Sequence, residues 1–246
     1  MPLKPVAIFR HSPTEGPGYF ATYLDACRVP WHLVKLDEGA KVPVEPQAYS
    51  GLCFMGGPMS VNDDLPWIAP VLELIREAVA QDVPVIGHCL GGQLMSKALG
   101  GTVSRNPVKE IGWGDIRVEA VDESRAWLGD TRSFLSFHWH GDTFTIPPGA
   151  IKLGSSEYCA NQLFVAGKHP GKHLGMQCHV EITPDMIRTW CRDWSKEKEG
   201  EKDGRVNGAN VQTPGQMQAG MEERTASLHA VSDRLYQRWI SGLAKT

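Results

Sequence analysis

Residues 83–101, VPVIGHCLGGQLMSKALGG, pass from an apolar run through a glycine-flanked cysteine into a helical pattern. Pro84–His88 reads as a buried strand and Gly91–Leu99 as a helix closed by Gly100 and Gly101, with Cys89 in the tight turn between them. A strand feeding straight into a helix is half of a βαβ unit, so the stretch predicts a parallel sheet covered by helices on both faces. It also places Cys89 at the carboxyl end of a parallel strand, where open α/β sheets form their binding crevice. Gly87-x-Cys89-x-Gly91 has the form of a nucleophile elbow, with cysteine in place of serine. So sharp a turn crowds the backbone where a Cβ would stand, and the helix start behind it favours developing negative charge. An isolated cysteine is more often an inert buried thiol, and Cys27, Cys53 and Cys191 fit that description. The flanking glycines, which a buried strand does not need, separate Cys89 from them.

The same alternation runs N-terminally from this stretch. Val6–Arg10, Trp31–Leu36 and Gly51–Met55 read as strands, Gly18–Cys27 as a helix, and residues 67–80 carry Ile68, Val71, Leu72, Ile75 and Val79 at helical spacing. Beyond residue 102 the pattern turns β-rich (GDIRVEAV, SFLSFHWHGDTFTIP, AIKLGSS, QLFVAGK, HLGMQCHVE), and these strands either extend the sheet or form a second one. Ile182–Trp194 follows as a helix, capped by Thr183-Pro184. Residues 195–212 are polar, and a surface loop is expected there. Thr213-Pro214-Gly215-Gln216 has the form of a capping box and opens a C-terminal helix to about Leu243. Met217, Met221, Leu228, Val231, Leu235, Trp239 and Leu243 line one face of it, so residues 213–246 are expected to pack on the body formed by residues 1–194.

Length, 246 residues, leaves the domain count open, and 41% hydrophobic with 22% charged residues is ordinary for a globular chain. A net charge of −3 provides no electrostatic footprint for nucleic acid, which favours a small-molecule substrate. No run approaches the roughly 18 apolar residues of a membrane span, and no cleavage signal opens the chain, so a cytoplasmic location is expected. Six scattered cysteines without a C-x-x-C pair suggest neither a disulfide framework nor a thiolate zinc site.

A nucleophilic cysteine needs a base, and the base an orienting group. GMQCHVEITPDM supplies His179 and Glu181 two apart; in an extended segment they share a face, so the carboxylate can hold the imidazole. FMGGPMS (54–60) ends a strand in Gly-Gly-Pro, which frees backbone N–H groups for an oxyanion hole beside the N–H of Leu90.

Together these elements resemble the class I glutamine amidotransferases, specifically stand-alone members similar to the amidotransferase domain of GMP synthetase. GHCLGGQ is similar to the family's G-x-C-x-G-x-Q, which makes Cys89 the nucleophile and Gln93 a substrate contact. GMQCHVE resembles G-x-Q-x-H-P-E, with His179 and Glu181 completing the triad, and GGPMSVND resembles the oxyanion loop, carrying Gly56 and Gly57. KEIGW (109–113) and SFHWHGDTF (136–144) also match, and by that resemblance the backbone of Trp139 and His140 contacts the substrate. The resemblance implies a doubly wound, mostly parallel, flavodoxin-like sheet. It further implies γ-glutamyl amide cleavage through a thioester, without cofactor or metal. His88 and Gly92, with Val180, depart from the family pattern, which directs attention to them for substrate choice. His88 reads as a satisfied buried histidine, with a second proton-transfer group as the alternative.

No phosphate-binding G-x-x-x-x-G-K-[ST] loop accompanies the motifs, so either the ammonia passes to a separate synthetase subunit or the protein is a free-standing γ-glutamyl hydrolase or peptidase. A metal enzyme built on His138, His140 and Asp142 lacks the further histidine such a pattern needs, Thr143 standing in its place. A non-catalytic glutamine-binding partner is the third reading, against which an intact triad argues.

Overall fold

The computed structural model describes residues 3–167, 172–200 and 210–243. Five strands pair in parallel in the order β2 (Trp31–Lys35), β1 (Val6–Arg10), β3 (Gly51–Phe54), β4 (Val85–His88), β9 (His173–Met176). The chain reverses its direction of growth at β1, as in flavodoxin-type sheets. The β-rich segment extends this sheet and does not make a second: β8 (Leu163–Ala166), β7 (Ile151–Ser155), β5 (Val103–Val118) and β6 (Ser133–Phe144) continue it, every pair antiparallel. The result is one mixed sheet of nine strands, parallel where the elbow sits.

Period-two alternation divides the core. Val6, Ile8, Cys53 and Ile86 point to one face, where they meet residues of α1 (Gly18–Ala26), α4 (Asp122–Leu128), α5 (Pro184–Gly200), α6 (Pro214–Gln218) and α7 (Met221–Ile240). Ala7, Phe9, Leu52, Phe54 and Val85 point to the other, against α2 (Ile68–Ala80) and α3 (Leu90–Ala98). On α2 the buried side chains are Ile68, Val71, Leu74, Ile75 and Ala78, with Leu72 and Val79 at the flank of the stripe.

Three features differ from the sequence expectations. The helix opened at Pro184 continues to Gly200, where a loop from residue 195 was expected, because the Lys/Glu run that reads as loop by polarity also has high helix propensity. Residues 201–209 of that expected loop lie outside the described residues, and Val211 pairs with Ile111. The capping box forms as expected, Thr213 accepting from the N–H of Gln216, but the C-terminal helix is broken after Gln218 by Gly220, whose φ of 64° is left-handed. The apolar stripe nevertheless continues across the break: Met217, Met221, Leu228, Leu235 and Trp239 are all buried. No described helix is long and apolar enough to cross a membrane.

Candidate active site

Cys89 follows β4 directly and precedes the first residue of α3, with φ 48° and ψ −106°, a backbone conformation L-residues rarely adopt. Two close approaches explain its glycine neighbours. A Cβ on Gly87 would stand 2.4 Å from the carbonyl carbon of Gly91, and one on Gly91 would stand 2.0 Å from the Phe54 oxygen. The elbow is therefore wedged against the end of β3, and its thiol faces a cavity of about 560 Å³ at the carboxyl ends of the parallel strands.

His179 lies three residues beyond β9, where its N–H donates to the Phe137 carbonyl at 2.8 Å. Its Nδ1 donates to Glu181 Oε1 at 2.7 Å, and both side chains are almost wholly buried. The Trp190 indole packs edge-on against the imidazole, ring centres 4.9 Å apart. Burial pushes the His179 imidazolium towards deprotonation, but Glu181 and the Cys89 sulfur override it by charge and hydrogen bonding and hold the histidine well above its ordinary range. Burial likewise opposes ionisation of Glu181, yet His179 and His88 keep its carboxyl below the usual value. The site thus holds the Cys89 sulfur, an imidazolium and an oriented carboxylate together.

The remaining expected residues fall around this cluster. Gly57 and Leu90 are neighbours, since a Cβ on Gly57 would lie 2.8 Å from Leu90 Cδ2. Gly56 abuts both the Glu15 carboxylate and the His179 ring. Gln93 and His140 line the cavity, as does Trp139, whose carbonyl accepts from the Cys89 thiol at 3.9 Å. The His140 side chain turns away into a buried network: Nε2 meets Glu110 Oε2 at 3.0 Å, and Glu110 also accepts from Ser156 and Gln162. Glu110, His140 and Cys159 are close enough together to consider as metal ligands, but hydrogen bonds within the protein already engage all three. His138 is engaged likewise, with Gly114 and Gln162, so the His-x-His-x-Asp segment serves as structure for the cavity wall.

His88 and Gly92 were the expected places to look for substrate choice, and neither lines the cavity. The strand alternation turns His88 to the opposite face, where Nε2 meets the Tyr236 hydroxyl at 3.1 Å; burial, opposed by Glu181, lowers its pKa. Gly92 is pressed on β9, a Cβ there coming within 2.2 Å of the Met176 carbonyl, so no side chain fits.

Three contributors escaped the sequence reading. Gln177 links Gln93 to the thiol, accepting from Gln93 Nε2 at 3.2 Å and donating to Cys89 Sγ at 3.6 Å; its place in GMQCHVE was the available signal. Glu15, in the β1–α1 loop, lines the cavity. The third is α7, which braces the His179–Glu181 segment: Ser232 Oγ donates to the Val180 carbonyl at 2.7 Å, and His229 Nε2 donates to that of Ile182 at 2.8 Å. Ser232→Ala is expected to lower stability by about 1–3 kcal/mol, since it deletes a fully buried hydrogen-bond donor, and a thermal melt would measure it. An unchanged melting temperature would show that α7 does not brace this segment.

Residues 19–189 match the family model described as Glutamine amidotransferase class-I. Among curated proteins, the glutamine amidotransferase-like protein YfeJ of Salmonella typhimurium is 33% identical over 131 residues, 51% of this chain and 55% of the relative. A glutamine-hydrolyzing GMP synthase of Lactobacillus delbrueckii is 33% identical over 129 residues, 52% of this chain but 23% of the relative. The chain thus spans about half the length of the first relative and under a quarter of the second. A glutamine amidotransferase structure from Methylobacillus flagellatus superposes with a TM-score of 0.94 at 43% identity, covering 99% of this chain and 97% of that one. One from Thermotoga maritima gives 0.82 at 26% identity, covering 96% and 97%.

Proposed function

The chain belongs to the glutamine amidotransferase class-I family, and on that premise we propose that it hydrolyses a γ-glutamyl amide through a thioester on Cys89. The observation that carries this reading is the buried His179–Glu181 pair held against a cysteine at a strained elbow. The Cys89 thiolate attacks the γ-carbonyl, forming the C–S bond and an oxyanion to which the N–H groups of Gly57 and Leu90 donate. His179, held protonated by Glu181, gives its proton to the departing nitrogen as the C–N bond breaks. Water then attacks the thioester with His179 as base, the C–S bond breaks, and the γ-carboxylate product and the thiol are released. Gln93, Gly56 and the backbone of Trp139 and His140 hold the glutamyl end, and the reaction needs neither metal nor cofactor.

Incubation of the purified chain with L-glutamine should release glutamate, and acid quenching should trap a γ-glutamyl adduct on the peptide containing Cys89, visible by mass spectrometry. An adduct on another cysteine, or turnover without one, would overturn the thioester route. A second reading, cleavage of γ-glutamyl peptides, is supported by Arg105 and Lys109 on the cavity lining, which suit a leaving group bearing a carboxylate. A third, an ammonia-donating role beside a separate synthetase, is supported by the 31% identity over 122 residues to one subunit of a glutamine-hydrolyzing GMP synthase from Sulfolobus acidocaldarius. On its own, such an ammonia donor should be nearly silent towards glutamine and wake on addition of its synthetase.

A further inference from the structure

Glu15 stands in the cavity with no task in the chemistry above. Its loop is fixed from both ends: Trp190 Nε1 donates to the Thr14 carbonyl at 2.9 Å, and the Tyr19 N–H donates to the Glu181 carbonyl at 2.8 Å. Trp190 is also the ring that packs on His179, so loop and imidazole share a support. The carboxylate is aimed at the reaction centre. A Cβ on Gly56 would lie 1.9 Å from Glu15 Oε2 and 3.2 Å from His179 Cε1, so the carboxyl and the imidazole flank one point at the edge of the oxyanion loop. No described residue gives this carboxyl a hydrogen bond or an ion pair. Such a group, part-exposed on the cavity wall and without a protein partner, is open to a ligand that can exchange a proton with it. Burial, with a smaller push from Glu181 and against the pull of His179, lifts its pKa to about 7, so the neutral acid is well populated near neutral pH. The titratable groups around it are His179 and Glu181, with Cys89 on the elbow, Asp193 on α5, and Lys109 and Arg105 further along the lining.

Building on the thioester reading, we propose that the Glu15 carboxyl receives the amine expelled towards His179 and protonates it, making the site an outright hydrolase of γ-glutamyl amides with basic leaving groups. His179 supplies the proton that completes the departing amine as a neutral base. The Glu15 O–H bond then breaks, an N–H bond forms, and an ammonium–carboxylate pair results. The ammonium nitrogen has no lone pair, so it cannot attack the thioester in reverse, and water finds the acyl enzyme unopposed. When the ammonium leaves, Glu15 recovers its proton from solvent. A site that passes ammonia onward needs the unprotonated amine, and this carboxyl would consume it.

The test compares wild type, Glu15→Gln and Glu15→Asp on γ-glutamyl methylamide, whose leaving group is strongly basic, and on γ-glutamyl-p-nitroanilide, whose leaving group is not. Glu15→Gln should lower kcat/KM for the methylamide by about tenfold, less than the roughly 10²-fold typical of a proton donor to the breaking bond, because Glu15 acts after it. The anilide should be unaffected, and Glu15→Asp should regain part of the methylamide rate. With added methylamine, Glu15→Gln should also convert more acyl enzyme to methylamide. Equal losses on both substrates would assign Glu15 a merely structural role, and no loss on either would remove it from the reaction; each overturns the proposal. Wild-type protein with no Cys89-dependent turnover of either substrate would remove the thioester reading and this inference with it, an outcome distinct from the other two.

Discussion

Cys89→Ala should reduce hydrolysis of γ-glutamyl amides by about 10⁵-fold or more, close to the level left when the nucleophile of a triad is removed. The size of the effect follows from the geometry. His179 and Glu181 are almost wholly buried beside the Cys89 sulfur, and on the proposed thioester route neither imidazole nor carboxylate substitutes for the missing nucleophile. Folding should survive, because the elbow's tight contacts are made by Gly87 and Gly91, and alanine removes one sulfur atom without adding bulk. Alanine also tolerates the φ of 48° no worse than cysteine does. Activity on glutamine within a factor of ten of wild type, in protein with an unchanged melting temperature, would dismiss Cys89 as nucleophile.

How far the sequence revealed this site depends on which residues one asks about. Cys89, His179 and Glu181 were legible because each sits in a short pattern whose physics is local: glycines where backbones collide, and a two-residue spacing that sets histidine and carboxylate on one side of an extended segment. β1, β3 and β4 were legible for the same reason, each being followed by the helix that covers it, whereas the parallel pairing of β9 with β4 was not. The antiparallel half was not, since whether β5 to β8 join the sheet or fold apart depends on β8 pairing with β9, a relation that no local periodicity encodes. α4 went unread because seven residues make barely two turns, too few for a periodic signal, although its Trp127 is buried. Glu15 was silent in SPTEGPG, a stretch that reads only as a turn. Its position against Gly56 arises from loop closure onto Trp190 and Glu181, residues more than 160 positions away. Likewise the bracing of the His179–Glu181 segment by α7 joins residues that share nothing in sequence, and His88, which departs from the family motif, faces that helix and not the cavity.

The Glu181→Gln variant should lose about 10³- to 10⁴-fold in kcat/KM at neutral pH, a loss of the size seen when the carboxylate orienting a catalytic histidine becomes an amide. Two effects act together. Glutamine can turn its NH₂ towards Nδ1, which moves the imidazole proton to the nitrogen facing Cys89 and leaves no base there. It also removes the negative charge that, with the Cys89 sulfur, holds His179 protonated against burial. The sign follows from the direction of the shift. The folded-state pKa of His179 is raised above the ordinary 6.5, so the wild-type imidazolium persists beyond that pH and is lost only as pH rises through the raised value. Without Glu181, burial dominates, and the imidazolium is lost at lower pH. The alkaline limb of kcat/KM against pH should therefore move to lower pH in Glu181→Gln, measured on γ-glutamyl-p-nitroanilide so that ionisation of the leaving amine does not intrude. The acid limb carries the opposite sign: the Glu181 carboxyl is held below 4.5, so the wild-type pair survives acidification until pH falls through that lowered value. An alkaline limb that stays in place while the rate falls would mean that Glu181 orients the imidazole without setting its charge, leaving the Cys89 sulfur as the group that keeps His179 protonated.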